Sequence, residues 1–435
     1  MPQIQPFKAI RYSTSQHRDL SALVAPPYDV IDSRLRDELI ARDQHNIVRI
    51  DLPHMPPAGL GPPEAYARSA ELLKRWLKQK VLIQDAEPAL YYYQQIFNVG
   101  STTHTRCAFF ARVRLEQFGS GSIMPHEQTF SGPKEDRLAL TKATRCNLSP
   151  VFGLYPDKSN QVLAALRPQK AEPDCFADLD SIRNELWIIR DAAKLARVGE
   201  LMAQKKIYIA DGHHRYSTGL NYQKFLAESG QSIDDEHPAN FISMVLVSAA
   251  DPGLIILPTH RLIRNLPDDF ISRLRSSTAE QLDWIETNLD ADHAADFDAS
   301  IARRHRQALG LYDAHRHRLY VLVPKSQDLL ADYAPDKAPA WRRLPVAILH
   351  RYLMEEKLSK EIAPGRQPQI TYVHSTAEAV HLCESAEGGY QAAFLLQPTT
   401  MDQLLSVVQA GELMPQKSTF FYPKVPTGLV INPLY

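Results

Sequence analysis

Lys206-Ile207-Tyr208-Ile209-Ala210-Asp211-Gly212-His213-His214-Arg215-Tyr216-Ser217 is the stretch whose reading decides the fold. Residues 207–210 are apolar and rich in isoleucine, the pattern of a short buried strand. A polar turn follows, and then a helix expected to run to about residue 228. Gly212 lets the backbone turn sharply and approach a ligand closely. The helix start offers unbonded N–H groups and the positive end of its dipole. Asp211, His213, His214 and Arg215 crowd that point, which makes it a candidate anion site, with phosphate the common anion for such a geometry. The same residues also allow a plain structural reading, in which Asp211 caps the helix and the histidines are solvated. Capping, however, requires only Asp211.

The totals bound what surrounds this turn. A chain of 435 residues is long enough for two or three domains and a large core. Apolar content of 44% and charged content of 23% are ordinary for a globular protein. A formal net charge of -1 supplies no global field toward nucleic acid or an anionic membrane, so nucleic acid is not an expected partner. The 4 cysteines form no CxxC pair, which gives no support to a zinc ribbon or a disulfide scaffold. No apolar run is long enough to span a membrane and no signal segment opens the chain, so a cytoplasmic location is expected. The oligomeric state stays open.

Outward from the turn, strands alternate with helices, the grammar of an α/β domain. Upstream, 182–190 reads as a strand and 192–204 as a helix. Further back, 89–99 and 103–114 read as a hairpin joined at Gly100-Ser101. Near the N-terminus, Ala25-Pro26-Pro27-Tyr28-Asp29-Val30 is stiff and extended, placing Tyr28 and Asp29 reproducibly. Helices are expected at 33–44 and 64–80, a strand at 47–51, and irregular chain at 158–181. Downstream, 240–247 and 254–257 read as strands, with His260 and Arg261 at the end of the second, where α/β folds often present site residues. Three segments follow: a core at 1–261, an inserted α+β subdomain at 262–340, and a C-terminal α/β segment at 341–435.

Two further polar clusters could join the turn. One holds His126, Glu127, Lys134, Arg137 and Arg145. Glu127 could accept a proton from a hydroxyl, and Lys134, Arg137 and Arg145 could neutralise phosphate charge. A solvated loop with surface ion pairs is the alternative. The other, Met414-Pro415-Gln416-Lys417-Ser418-Thr419, offers Lys417, Ser418 and Thr419 as a phosphate grip, or else a packed C-terminal strand. The His315 and His317 pair reads as a hairpin turn rather than a metal site, and no metal-ligand motif is found elsewhere. The P-loop, the dinucleotide fingerprint and the nucleophile elbow are all missing from the sequence.

The turn at 211–215 resembles the signature turn of the ParB/sulfiredoxin superfamily. The whole chain is similar to the domain-of-unknown-function family numbered 1015, related to that superfamily. The resemblance rests on Ala25 to Val30, Pro125-His126-Glu127-Gln128-Thr129, Ala210 to Tyr216, Pro258-Thr259-His260-Arg261 and Met414 to Thr419. It implies a ParB/sulfiredoxin-like nucleotide-binding core, of mixed α/β and α+β class, with nucleotide phosphates held at the turn. The superfamily includes a free-serine kinase, sulfiredoxin and ParB. Sulfiredoxin's reactive Cys has no counterpart here, since Asp211, His213 or His214 fills its position. No helix-turn-helix segment of the ParB kind is found.

Together these readings point to phosphoryl transfer on a small hydroxylated metabolite or its phosphate ester, serine or phosphoserine-like, by a kinase or a phosphatase. Glu127 or Asp29 is expected as base or metal carboxylate, with Asp211 beside them. His213 or His214 is the candidate acid or phosphate carrier. Gly212, Arg215, His126, Lys134, Arg137, Arg145, His260, Arg261, Lys417, Ser418 and Thr419 are the candidate phosphate and nucleotide contacts. Mg²⁺ and ATP or ADP are the cofactors this chemistry would use. The alternative is a nucleotide-binding regulator of the ParB-like type without metabolite turnover.

Overall fold

The computed structural model describes residues 1–57, 59–119, 121–127, 134–231, 233–287, 294–304, 306–385 and 388–435, with the side chains of 134 and 294–296 left aside. The chain divides into two compact units. The first comprises 1–125, 129–255 and 423–435; the second comprises 126–128 and 256–422.

The first unit is built on a nine-stranded mixed sheet. Its strands are β1 (Ile4–Gln5), β2 (Leu90–Val99), β3 (Thr102–Arg114), β4 (Ile123–Pro125), β5 (Val151–Tyr155), β6 (Cys175–Leu179), β7 (Ile182–Ile189), β8 (Ile207–Asp211) and β9 (Phe241–Ser248). The order is β4-β8-β5-β9-β3-β2-β7-β6, with β1 beside β3. Strand β9 is buried at every position and lies parallel to β5 and antiparallel to β3, as its unbroken apolar run requires. The β2–β3 hairpin pairs Val99 with Thr102 across a turn whose Gly100 has φ +59°.

Six helices of this unit matter for the site: α1 (Ser33–Arg42), α2 (Val48–Asp51), α3 (Pro63–Lys78), α4 (Lys134–Thr144), α5 (Ala192–Ala203) and α6 (His213–Glu228). Helix α3 starts with proline at its first position, where no N–H is needed, and buries Ala65, Tyr66, Ser69, Leu73 and Trp76 along one stripe. Helix α4 packs between α3 and α6, and so brings three distant segments together beside the turn.

The second unit holds a six-stranded, wholly antiparallel sheet. Its strands are β10 (His260–Arg264), β11 (Leu282–Glu286), β12 (Leu309–Asp313), β13 (Arg318–Pro324), β14 (Gln369–Val373) and β15 (Ala392–Leu395), in the order β11-β13-β12-β15-β10-β14. Its helices include α7 (Phe270–Thr278), α8 (Ala294–Arg304), the π-wound α9 (Ile348–Ile362), α10 (Thr376–Glu384) and α11 (Met401–Gln409). A core around Phe270, Leu311, Tyr352 and Phe394 fills one face of the sheet.

The mixed α/β class expected from the sequence is the class observed. Two local expectations are corrected. Residues 47–51, expected as a strand, form helix α2, because the Asn46 side chain accepts from the Val48 amide at 3.0 Å and starts a helical turn. Residues 158–181, expected to be irregular, contain a helix at Gln161–Leu166 and strand β6. The division into segments at 262–340 and 341–435 also differs from the observed units: β12 of the one pairs with β15 of the other, and 423–435 belongs to the first unit. Among the described residues, no helix is long and apolar enough to cross a membrane.

Candidate functional site

Strand β8 delivers Asp211 to the edge of the turn, and α6 begins two residues later. Gly212 joins them at φ +86°, a left-handed conformation that side chains other than glycine adopt at a cost. A Cβ there would also meet the Arg215 guanidinium at 2.8 Å. The guanidinium curls back over Gly212, donating to the Asp211 carboxylate and to the Pro150 carbonyl. No side chain caps α6.

The Asp211 carboxylate is gripped from its other side by Lys424, whose Nζ lies 2.7 Å from Oδ1. Burial works against the Asp211 charge. Lys424, and after it Arg215, outweigh burial and hold the carboxyl well below the usual carboxylate range. The turn therefore has an internal anion set between two cations.

A second ionic group adjoins the first. Arg137 of α4 pairs with Asp136 at 2.6 Å, reaches Asp51 Oδ1 at 3.5 Å and donates to the Asp51 carbonyl at 2.8 Å. Its guanidinium lies 4.2 Å from the centre of the Tyr28 ring. Asp136 also accepts from Tyr66 at 2.7 Å and meets His54 Nε2 at 2.6 Å. Asp51 takes a longer 3.4 Å bond from Ser149, whose hydroxyl meets Thr427 at 2.7 Å. Burial raises the Asp51 carboxyl despite the opposing pull of Arg137 and Arg215. It likewise pushes the Tyr28 hydroxyl up to about 12.

A small cavity of about 40 Å³ joins the groups, lined among others by Tyr28, Asp51, Arg137, Ser149 and Arg215. Asp29 stands exposed on the single turn Tyr28–Val30, close enough for its charge to help hold the proton on Arg215. Of the expected site residues, the first unit thus gathers Asp29, Arg137, Asp211, Gly212, His213, His214 and Arg215 around one turn and its adjoining cavity. Arg145 does not line that cavity. It lies 5.2 Å from the Tyr435 ring centre, and its carbonyl accepts from the Leu434 amide. Residues 128–133 and the side chain of Lys134 lie outside the described residues.

The remaining candidates belong to the second unit. His126 Nε2 meets the Thr419 hydroxyl at 2.8 Å, and Glu127 accepts from the Lys417 amide. Lys417 has φ +56°, a left-handed conformation unusual for a lysine. Ser418 is buried and bonds to the Pro415 carbonyl. Arg261 is buried and donates to the carbonyls of Thr259, Gln416 and Lys417; burial lowers its pKa to about 10. His260 Nδ1 accepts from the Leu396 amide at 3.1 Å, so its proton sits on Nε2, which faces the Thr376 hydroxyl at 3.2 Å. Burial, then Arg261 and His374, lower its pKa to about 3. Both side chains thus hold the second unit's own backbone in place.

Sequence reading passed over Asp51, His54, Tyr66, Ser149 and Thr427. Asp51 lay in the segment read as a strand. Nothing local in the sequence ties Lys424 to a carboxylate more than two hundred positions earlier. Among the described residues, no three His, Cys, Asp or Glu side chains are grouped to hold a metal ion.

A family described as "Protein of unknown function (DUF1015)" matches residues 4–347. No curated protein matches the chain. Among solved structures, a conserved hypothetical protein from Pyrococcus furiosus is similar at 15% identity and TM-score 0.33, over 72% of this chain and 94% of that one. A free serine kinase in complex with AMP is similar at 13% identity and TM-score 0.34, over 72% of this chain and 90% of that one. SbnI with C-terminal truncation, from Staphylococcus aureus, is similar at 11% identity and TM-score 0.36, over 75% and 87%. At these TM-scores the likenesses carry no argument about the chain's chemistry.

Proposed function

We propose that this chain, which belongs to the DUF1015 family, is a phosphotransferase that moves a phosphoryl group between a nucleotide and the hydroxyl of a small serine-like metabolite. The observation that carries the reading is the Asp211 carboxylate fixed between Lys424 and Arg215 at the start of α6. These cations, the helix dipole and Arg137 across the adjoining cavity suit a phosphate chain. In the forward direction the metabolite hydroxyl oxygen bonds to phosphorus, the bond to the leaving nucleotide oxygen breaks, and the hydroxyl proton passes to a carboxylate. Asp29, exposed beside Arg215, is our choice for that base. To His213, buried in the first turn of α6, we assign the protonation of a leaving oxygen.

The charges suit a nucleotide that arrives with a divalent cation. Four carboxylates (Asp29, Asp51, Asp136 and Asp211) stand against three permanent cations (Arg137, Arg215 and Lys424). A bare polyphosphate would add to a negative surround. Mg²⁺ carries one or two protein carboxylates and completes its shell with phosphates and water, which needs no preformed cage. Asp51, which lines the cavity, is the carboxylate that would hold it, and it would supply charge neutralisation.

Calorimetry and a turnover assay on the full chain test this reading. ATP or ADP with Mg²⁺ should bind, L-serine should raise nucleotide turnover, and Arg215→Met should weaken nucleotide binding by roughly tenfold or more, the loss of one charged hydrogen bond. Asp29→Asn then tests the base: it should lose turnover and keep nucleotide binding. Nucleotide binding with turnover indifferent to every hydroxylated metabolite would favour the regulatory reading. No nucleotide binding with Mg²⁺ would refute both.

A further inference from the structure

A polar cavity of the second unit lies far in sequence from the turn. It has a volume of about 600 Å³, within the range of small-molecule sites. It opens where β15 ends and the chain loops through residues 396–400 into α11, with the starts of β10 and β12 alongside. Thr259, Thr399, Thr400, Ser406 and Ser418 are among its lining residues. So are two arginines from separate segments, Arg306 and Arg343.

These arginines set the pocket apart. Both are exposed, and among the described residues neither forms an ion pair. The adjacent Arg342 is saturated by comparison: Nε and one terminal nitrogen donate to Asp328 at 2.8 and 2.6 Å, and the other terminal nitrogen donates to the Lys337 carbonyl at 2.9 Å. Asp328 is therefore bonded to Arg342, and Arg343 acts on it only through space, as a weaker pull on its carboxyl. The one carboxylate of the lining, Asp402, pairs with neither arginine and leaves the lining with an excess of one positive charge. The start of α11 contributes nothing to this excess, because Thr400 and Gln403 cap it reciprocally. In another arginine-rich groove of this unit, Arg318 faces Glu286 at 3.5 Å, Arg316 faces Asp313 at 3.6 Å and Arg275 lies 6.0 Å from the Tyr320 ring centre.

We infer that this pocket binds a small polyhydroxylated metabolite carrying a phosphate or a carboxylate, with Arg306 and Arg343 on the anionic group and the Ser and Thr hydroxyls around the polyol. Two guanidinium forks match planar or tetrahedral oxyanions, and hydroxyls from several segments match sugar hydroxyls. The site uses no residue of the 211–215 turn.

Isothermal titration of the full chain with ribose 5-phosphate, gluconate and ribose tests the inference and shows which anion is preferred. At least one of the two anions should bind, and ribose should bind at least tenfold more weakly. Arg306→Met and Arg343→Met should each weaken the anion by about tenfold or more, with folding checked by the melting temperature. Ser406→Trp, at an exposed position of α11 facing the cavity, should block binding by filling it while leaving both charges in place. Arg215→Met should leave the anion's affinity unchanged, so this result stands apart from the phosphotransferase reading. The inference fails if neither anion binds, if ribose binds equally well, or if both arginine variants bind as tightly as the native chain. A loss at Arg215→Met with none at Arg306 and Arg343 would put the anion on the turn and also refute it.

Discussion

Asp211→Asn is the substitution for which the structure gives opposite signs to two measurements. Asparagine keeps the shape and removes the charge. Lys424, 2.7 Å away, and Arg215 then face each other with their counter-charge gone. Their side chains are only 18% and 11% exposed, so water can compensate little. Removing one partner of a buried pair costs about 3–5 kcal/mol, and the residual exposure points to the lower end, about 3 kcal/mol. For a unit of this size that corresponds to a fall of about 6 °C in Tm. Added inorganic phosphate should reverse part of it. In the native chain an external anion competes with Asp211 for the two cations; in the variant it does not. A tenfold gain in phosphate affinity would return up to about 1.4 kcal/mol near saturation. The Asp211 carboxyl is held below its unfolded range, so its contribution is complete above about pH 4 and is lost only as pH falls further, through its folded value. The gap between native and variant stability should therefore stay constant from pH 7 to about pH 5 and narrow only in stronger acid. Thermal scans over pH and phosphate concentration measure all of this. A variant that melts within about 1 °C of the native chain at pH 7, or gains no more from phosphate, would refute the view that an internal carboxylate holds the anion site.

Two other consequences can be measured. Arg106, fully buried in β3, donates to the Gln95 side chain and the Pro423 carbonyl, while Gln95 donates to the Lys424 carbonyl at 3.2 Å. This clamp fixes the backbone that carries Lys424, so Arg106→Met should destabilise the chain by about 1–3 kcal/mol and lower phosphate affinity as far as Lys424→Met does; unchanged phosphate affinity in a folded Arg106→Met protein would remove the positioning role. In the second unit, burial lowers His260 to about 3 against an ordinary value near 6.5, so the unfolded chain takes up a proton first. Stability should then decline as pH falls from about 6.5 toward 3, by up to about 4 kcal/mol. His260→Asn, whose side-chain oxygen can still accept from the Leu396 amide, should flatten that decline in acid unfolding followed by Trp fluorescence, and an identical acid limb in the two proteins would exclude His260 as its source.

Where structure is settled by neighbours in sequence, it could be read. The β8 strand, Gly212 and α6 are such a case: apolar run, glycine and helical period stand within 22 residues, 207–228. The β2–β3 hairpin is another, marked by Gly100. The hairpin of β6 and β7 was not legible, because its turn places Asp180 and Ser181 at φ +51° and +62°, a conformation sequences usually signal with glycine or asparagine. Helix α2 was misread for a related reason. Ile47-Val48-Arg49-Ile50-Asp51 looks like a strand by alternation, and what turns it into a helix is Asn46, tied by its amide to the carbonyls of Ala22 and Val24. The pairing of β12 with β15 depends on residues some eighty positions apart and leaves no local trace.

The site has the same limit in a sharper form, because residue type does not disclose what a cation already holds. Arg261 and Arg215 look equivalent as sequence. The first is bonded to three carbonyls of its own unit, whereas the second answers a carboxylate beside an uncapped helix start. Arg306 and Arg343 look like ordinary surface residues, yet they line a cavity and, among the described residues, neither forms an ion pair. A cation bonded to carbonyls or to a carboxylate gives up those bonds when it turns to a ligand, and a cation without them gives up little. The turn around Asp211 should therefore bind phosphate weakly until its own carboxylate is displaced or engaged by a metal ion, while the pocket of the second unit should bind a simple anion directly. Titrating the native chain with phosphate, with and without Mg²⁺, should accordingly show a step that requires Mg²⁺ and is lost in Arg215→Met, and a step independent of Mg²⁺ that is lost in Arg343→Met. Two steps with the reverse dependence would mean that the internal counter-charge does not govern anion binding here.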